Sequence, residues 1–279
     1  MNKLKLRLQL EQFFLEDIGD RDITSELIFG KEEKGEIVFI AKDHGIFCGE
    51  DVIRTGFSIL DNEIKVEMKI KDGETIENGQ VLATAQGTVA QLLKGERVIL
   101  NLIQRMSGIS TITNKAVSEL NSSHTKICDT RKTTPGLRML EKYAVRCGGG
   151  FNHRYGLYDA VMIKDNHISF AGSIEKAVSA VRSHIGHMVK IEVETETKAQ
   201  VMEAAAASAD VIMFDNRQPE EIKEWIPYVP EGIVTEASGG ITLDNLSSYS
   251  DTGVDYISLG FLTHSAKSLD ISVKVKVGE

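Results

Sequence analysis

The sequence predicts an α/β chain in two parts, an antiparallel α+β module followed by a (β/α) barrel of the TIM-like type. Three observations carry this. Period-two alternation marks the first third, with Ile64, Val66, Met68 and Ile70 on one face and Glu63, Lys65, Glu67 and Lys69 on the other. From residue 126 onward, short apolar runs alternate with helical periods, which means βαβ units and parallel pairing. Several of those runs end in a polar residue: Lys164, Glu194, Asp215 and Glu236. A barrel gathers its strand C-termini at one mouth, whereas an open doubly wound sheet concentrates function at a single switch point.

Residues 4–17 carry Leu4, Leu8, Phe13, Phe14 and Leu15 among polar partners, predicting an amphipathic helix that stops at the polar turn 18–24. Thr24 or Ser25 is available to cap the next segment. Strands are expected over 36–41, 45–49 and 62–70, with Asp72-Gly73, Asn78-Gly79 and Gln86-Gly87 as tight turns. Residues 89–120 hold a helical period (Leu92, Leu93, Val98, Ile99, Leu102, Ile103) interrupted at Ser107-Gly108. Two helices are expected there, with the domain boundary between them. The first domain is then 1–105 and the barrel 106–267.

Barrel strands are expected at 126–128, 160–163, 188–193, 210–214, 233–236 and 254–259. Helices are expected near 137–147, 173–184, 197–208, 218–225 and 242–250. The tail 271–277 alternates cleanly, and its lysines would protect an exposed edge. Segment 268–279 is expected to return to the sheet of the first domain.

Composition narrows the function. A net charge of −9 lacks the basic footprint of a nucleic-acid binder. No apolar run approaches a bilayer span. The N-terminus alternates charge and leucine, which predicts no secretory signal. Cys48, Cys128 and Cys147 are too widely spaced along the chain for a disulfide framework or a metal motif, and a reducing cytoplasm is expected.

Against the acidic whole, residues 129–167 hold seven Lys/Arg against four acids, a local net of +3. A reversal of sign points to an anion pocket, because arginine forks match carboxylate and phosphate. Lys142 and Arg146, four apart in a helical pattern, read as a solvated helix face. Arg131-Lys132 and His153-Arg154 abut turns, where functional groups sit on a rigid frame. Glycines at Ser238-Gly239-Gly240 and at Gly260 follow late strands, where barrels bind phosphate, and Thr242 is placed to cap an adjoining helix. Glu194 and Asp215 suit ribose hydroxyls or a Mg²⁺ ion. Glu192 and Glu196 share a strand face with Glu194, so the choice among the three stays open. Lys164, ending a strand, also admits a Schiff-base reading.

The motifs themselves are specific. The runs 129–138 (Asp-Thr-Arg-Lys-Thr-Thr-Pro-Gly-Leu-Arg), 142–145, 148–154 (Gly-Gly-Gly-Phe-Asn-His-Arg) and 163–167 (Ile-Lys-Asp-Asn-His) resemble the signature of the quinolinate phosphoribosyltransferase family. Residues 236–241, 255–260 and the 17–24 turn are similar too, so the resemblance covers essentially the whole chain. Arg21 stands where the family often has glycine.

The resemblance implies an N-terminal α/β sandwich plus an incomplete (β/α) barrel, assembled at least as a homodimer. It implies transfer of phosphoribose from phosphoribosyl pyrophosphate, with Mg²⁺, to quinolinate, with loss of CO₂. The product would be nicotinate mononucleotide for NAD synthesis. By matching position, Arg131, His153, Arg154 and Lys164 would hold the quinolinate carboxylates and Lys132 the pyrophosphate side. Glu194 and Asp215 would serve ribose and Mg²⁺, Ser238, Gly239, Gly240, Gly260 and His264 would cradle the 5′-phosphate, and Ser258 would also bind substrate. Arg97 matches an arginine that reaches the neighbouring subunit's site.

Overall fold

The computed structural model describes residues 1–30 and 32–276, so Val277 and the end of the expected returning segment lie outside the described residues. In chain order the first elements are α1 (Lys3–Ile18), α2 (Ile23–Ile28), β1 (Lys34–Ala41), β2 (Gly45–Ile46), α3 (Glu50–Leu60), β3 (Lys65–Met68), β4 (Thr75–Ile76), β5 (Val81–Thr88) and α4 (Val89–Leu120). Then come β6 (Lys126–Cys128), α5 (Arg138–Cys147), β7 (Val161–Ile163), α6 (Asp165–Ala171), α7 (Ile174–Arg182), β8 (Ile191–Thr195), α8 (Lys198–Ala206), β9 (Val211–Asp215) and α9 (Pro219–Trp225). The chain closes with β10 (Val234–Ser238), β11 (Tyr256–Ser258), α10 (Phe261–His264) and β12 (Ile271–Lys276).

Two compact units result: residues 1–114 with 139–149 and 266–279, and residues 115–138 with 150–265. Compactness divides the chain within α4, after residue 114, and places most of α5 in the first unit. In that unit a four-stranded antiparallel sheet, ordered β12-β1-β5-β3, is covered by helices. Phe39 of β1 meets Phe57 of α3 edge to face, with ring centroids 6.1 Å apart. β12 runs antiparallel to β1, and Lys276 pairs with Glu36 across that register.

Local expectations are corrected in several places, beginning with the turn expected at Gln86-Gly87, which lies inside β5 and pairs with β1. α1 buries Leu6, Leu10 and Phe14, one i, i+4 stripe, and leaves Leu4, Leu8 and Leu15 exposed. The cap of α2 is Asp22, whose Oδ1 accepts from the N–H groups of Thr24 and Ser25, both at 3.0 Å. Those bonds, led by one from the Ser25 hydroxyl, hold its carboxyl below the usual range. The strand expected over 45–49 is only the two residues of β2, and Gly49 is the N-cap of α3, whose Val52, Ile53 and Phe57 are buried. Finally, α4 is one unbroken helix of 32 residues.

Ser107-Gly108 does not break α4 because both residues are chosen for packing. The Ser107 hydroxyl accepts from the Cys48 N–H at 3.0 Å, and a Cβ built on Gly108 would overlap the carbonyl oxygen of Lys267. This gives a test with a definite sign. In a free helix Gly→Ala would stabilise by about 1 kcal/mol. Here Gly108→Ala should destabilise by about 1–3 kcal/mol through overpacking, read as a lower Tm. A raised Tm would mean that Gly108 merely weakens its helix.

The second unit is a parallel six-stranded sheet ordered β6-β11-β10-β9-β8-β7, with an added parallel bridge between Cys128 and Phe151. In a doubly wound sheet the first strand lies inside the strand order. Here β6 pairs with the last strand, β11, so the sheet curls into an incomplete barrel. Helix 242–250 does not form as expected. Only a 3₁₀ turn at Leu246–Tyr249 appears, and Asn245, not Thr242, organises the approach by accepting from the Thr242 N–H at 2.8 Å. Among the described residues no helix is long and apolar enough to cross a membrane.

Candidate active site

Parallel strands end on one side of a barrel, and the residues that end them surround a cavity of about 780 Å³ within the second unit. Its lining includes Arg131, Lys132, His153, Arg154, Lys164, Glu194, Asp215, Ser238, Gly239, Gly240, Ser258, Gly260 and His264. Arg97 is the exception, an exposed residue of α4 in the first unit.

The positive wall is built by Asp129. This carboxylate is fully buried just after β6, where Oδ1 accepts from the His153 N–H at 2.8 Å and Oδ2 from the Asn152 amide at 2.7 Å. It thereby pins the segment that carries Arg154 beside the one that carries Arg131. Arg138 ties the flanking loops, its Nε bonding Thr133 Oγ1 at 2.9 Å and Nη1 the Tyr155 carbonyl at 3.0 Å. Arg154 donates to the Ala160 carbonyl at 2.8 Å. Burial, and then the facing Arg131, lower its pKa. The Nε atoms of Arg131 and Arg154 are buried without a hydrogen-bond partner among the described residues. Two crowded guanidiniums with unspent donors form a receptor for a carboxylate, since an anion would satisfy the donors and offset the repulsion.

His153 lines the cavity with both ring nitrogens engaged. Nδ1 accepts from the Arg154 N–H at 2.7 Å, so the proton sits on Nε2, which lies 3.0 Å from Glu192 Oε2 and 3.7 Å from Glu236 Oε1. Its ring therefore orients Arg154 rather than offering a free N–H to a ligand. Glu236 is corrected as well. It lies in the middle of β10, is buried and does not reach the rim, where Ser238 ends the strand. Burial, with Glu192 adding repulsion, pushes its carboxyl up to about 8.

The ambiguity among Glu192, Glu194 and Glu196 resolves by height along the strand. Glu192 is buried below the rim, Glu196 is exposed beyond it, and Glu194 lines the cavity. Glu194 pairs with Lys164, yet burial still raises its carboxyl above the usual range. Lys164 is salt-bridged and its side chain is 43 % exposed, so it is not the desolvated amine that a Schiff-base enzyme needs. Asp215 ends β9 and accepts from the Asn216 amide at 2.8 Å. Glu194 and Asp215 are hard oxygen donors, which fit Mg²⁺ carried by a polyphosphate.

Opposite the arginines the chain turns on glycine. Gly239 and Gly240 have φ of 82° and 67°, and a Cβ on Gly239 would strike the Asn216 side chain. The Ser258 hydroxyl donates to Ser238 Oγ at 2.9 Å, fixing the rim beside them. Lys132 lies over Gly260, where an added Cβ would come 2.9 Å from Lys132 Cδ and 3.2 Å from His264 Cδ2. Sequence reasoning gave no role to Asp129 or Asn216. Asn216 sits at a left-handed φ of 54°, which asparagine tolerates and which only the structure reveals. Lys142, read as solvated, is fully buried on α5 in the first unit, beside Glu141, which Arg105 pairs at 2.6 Å.

The chain matches known families along nearly its full length. A family model described as the quinolinate phosphoribosyl transferase N-terminal domain covers residues 22–107, and the corresponding C-terminal domain covers 109–274. A Bacillus subtilis protein named probable nicotinate-nucleotide pyrophosphorylase (carboxylating) is 58 % identical, spanning 99 % of this chain and 95 % of its own. The Nicotiana tabacum quinolinate phosphoribosyltransferase (decarboxylating) 1b is 40 % identical over 93 % of this chain and 79 % of its own. The crystal structure of NadC from Streptococcus pyogenes is similar at a TM-score of 0.96, with 39 % identity over 99 % of this chain and 98 % of that one.

Proposed function

Because the chain belongs to the quinolinate phosphoribosyltransferase family, we propose that its barrel cavity transfers phosphoribose to quinolinate with decarboxylation, giving nicotinate mononucleotide, pyrophosphate and CO₂. The observation that carries the assignment to this cavity is the Arg131–Arg154 pair with its two buried, unspent Nε donors. Quinolinate is a pyridine diacid, and its carboxylates answer that receptor.

The ring nitrogen of quinolinate carries no proton to remove, so a general base is not required. Positioning, and neutralisation of the departing pyrophosphate, supply the acceleration. Arg131 and Arg154 fix the diacid, with Lys164 completing the clamp, and His153 holds Arg154 in line. Lys132 faces the pyrophosphate of phosphoribosyl pyrophosphate, and the turn at Ser238, Gly239 and Gly240, with Ser258, Gly260 and His264, takes the 5′-phosphate. Glu194 and Asp215 would hold the ribose hydroxyls and a Mg²⁺ ion, which would neutralise charge on the pyrophosphate. Once the nitrogen is alkylated, its positive charge stabilises the carbanion left at C2 as CO₂ departs. The decisive assay is incubation with quinolinate, phosphoribosyl pyrophosphate and Mg²⁺. Equimolar nicotinate mononucleotide and CO₂ are expected, and their absence sinks the reading.

The proposal extends to a homodimer in the cytoplasm. Cys48, Cys128 and Cys147 form no disulfide, which fits a reducing compartment. Arg97, exposed on α4, is assigned to the site of a partner subunit. Mixing an Arg97→Ala variant with an inactive Lys164→Ala variant should then restore activity in heterodimers, because one of the two sites regains a full set. Heterodimers that form without recovery exclude the shared site.

A further inference from the structure

We propose that Cys48, Asp72 and Cys147, in the first unit, form a binding site for a soft divalent cation, with Zn²⁺ as the best match. The three are far apart in sequence, yet one ligand atom from each lies within 4.8 Å of the others. A tetrahedral zinc ion with bonds of about 2.3 Å to sulfur and 2.0–2.2 Å to oxygen sets its ligands roughly 3.5–3.8 Å apart. A contraction of about 1 Å therefore closes the site. Two thiolates and one carboxylate neutralise the ion with one negative charge to spare and leave a fourth position for water.

The framework around the three is already fixed. Cys48 is fully buried at the entrance to α3, with its N–H bonded to Ser107 Oγ. Asp72 Oδ1 accepts from the N–H groups of Gly49 (2.7 Å) and Glu50 (3.0 Å), and Oδ2 accepts from the Tyr143 hydroxyl at 2.8 Å. Such outer hydrogen bonds are what aim a carboxylate ligand at a metal. Tyr143 lies on α5 one helical turn before Cys147, so one helix supplies both a ligand and the group that orients another. Asp72 and Tyr143 also line a cavity of about 560 Å³ that gives the cation a path from solvent. Binding replaces the thiol protons with metal and releases them to solvent.

Co²⁺, added to the metal-free full-length protein and then displaced by Zn²⁺, tests this directly. Expected are one Co²⁺ per chain, a thiolate-to-cobalt charge-transfer band and its loss on adding Zn²⁺. Cys147→Ser and Asp72→Asn should each weaken binding by about tenfold or more. Cys128→Ser should leave it unchanged. A folded protein with no charge-transfer band overturns the proposal. So does a band that survives in Cys147→Ser, or a Cys48–Cys147 disulfide formed in place of metal uptake. If a variant fails to fold, the wild type decides: Zn²⁺ should slow iodoacetamide labelling of Cys147 about tenfold or more, and equal labelling with and without Zn²⁺ overturns the site.

Discussion

Replacing Arg131 by alanine lowers kcat/KM for quinolinate by at least about thirtyfold, the equivalent of roughly 2 kcal/mol. The reason lies in the pairing. Arg131 and Arg154 are close enough to repel, and each keeps a buried Nε donor without a partner among the described residues. On the proposed reading, removing Arg131 would delete a charge-assisted contact to a quinolinate carboxylate and leave Arg154 to hold the diacid alone. Arg131→Lys should recover little, because an ammonium cannot reproduce the planar fork. The measurement is steady-state kinetics with quinolinate varied at saturating phosphoribosyl pyrophosphate. Near-normal kinetics for Arg131→Ala would place the carboxylate clamp elsewhere.

Glu236→Gln changes the pH dependence of stability, and the sign is set by the direction of the pKa shift. The folded protein holds the Glu236 proton up to about pH 8, whereas an unfolded glutamate releases it near about 4.3. Between those values the native state binds more protons than the unfolded state, so stability falls as pH rises and levels off above about 8. At 1.36 kcal/mol per pH unit, the decline between about pH 4.3 and about pH 8 is roughly 5 kcal/mol. Glutamine mimics the neutral acid and removes the decline. The difference between wild type and variant, from urea unfolding at several pH values, should therefore grow across this window and favour the variant at its upper end. A difference that stays flat would mean that Glu236 is ionised in the native state throughout.

Both predictions depend on side chains whose type was visible in sequence and whose partners were not. The cation-rich run 129–167, the glycine turns and the polar strand ends were legible because each is a local pattern. They pointed to residues that line one cavity of the second unit, and the long motifs identified the family. Alternation likewise marked β3 and β12, and strand–helix alternation marked the barrel.

What the chain alone left undecided was height and environment. A period of two says that Glu192, Glu194 and Glu196 share a face, but only strand stagger in the curled sheet puts one below the rim, one on it and one beyond. Helical spacing grouped Lys142 with Arg146, yet packing buried the first and exposed the second. A Ser-Gly pair inside α4 looks like a break until the Lys267 carbonyl, remote in sequence, fills the space that a side chain would need. The sequence by itself determined the fold class, the family and the kinds of group at the site, since these rest on local periodicity and contiguous motifs. Tertiary structure decided which of those groups are buried, paired or left with unspent donors, because desolvation and hydrogen bonding depend on neighbours brought from distant parts of the chain.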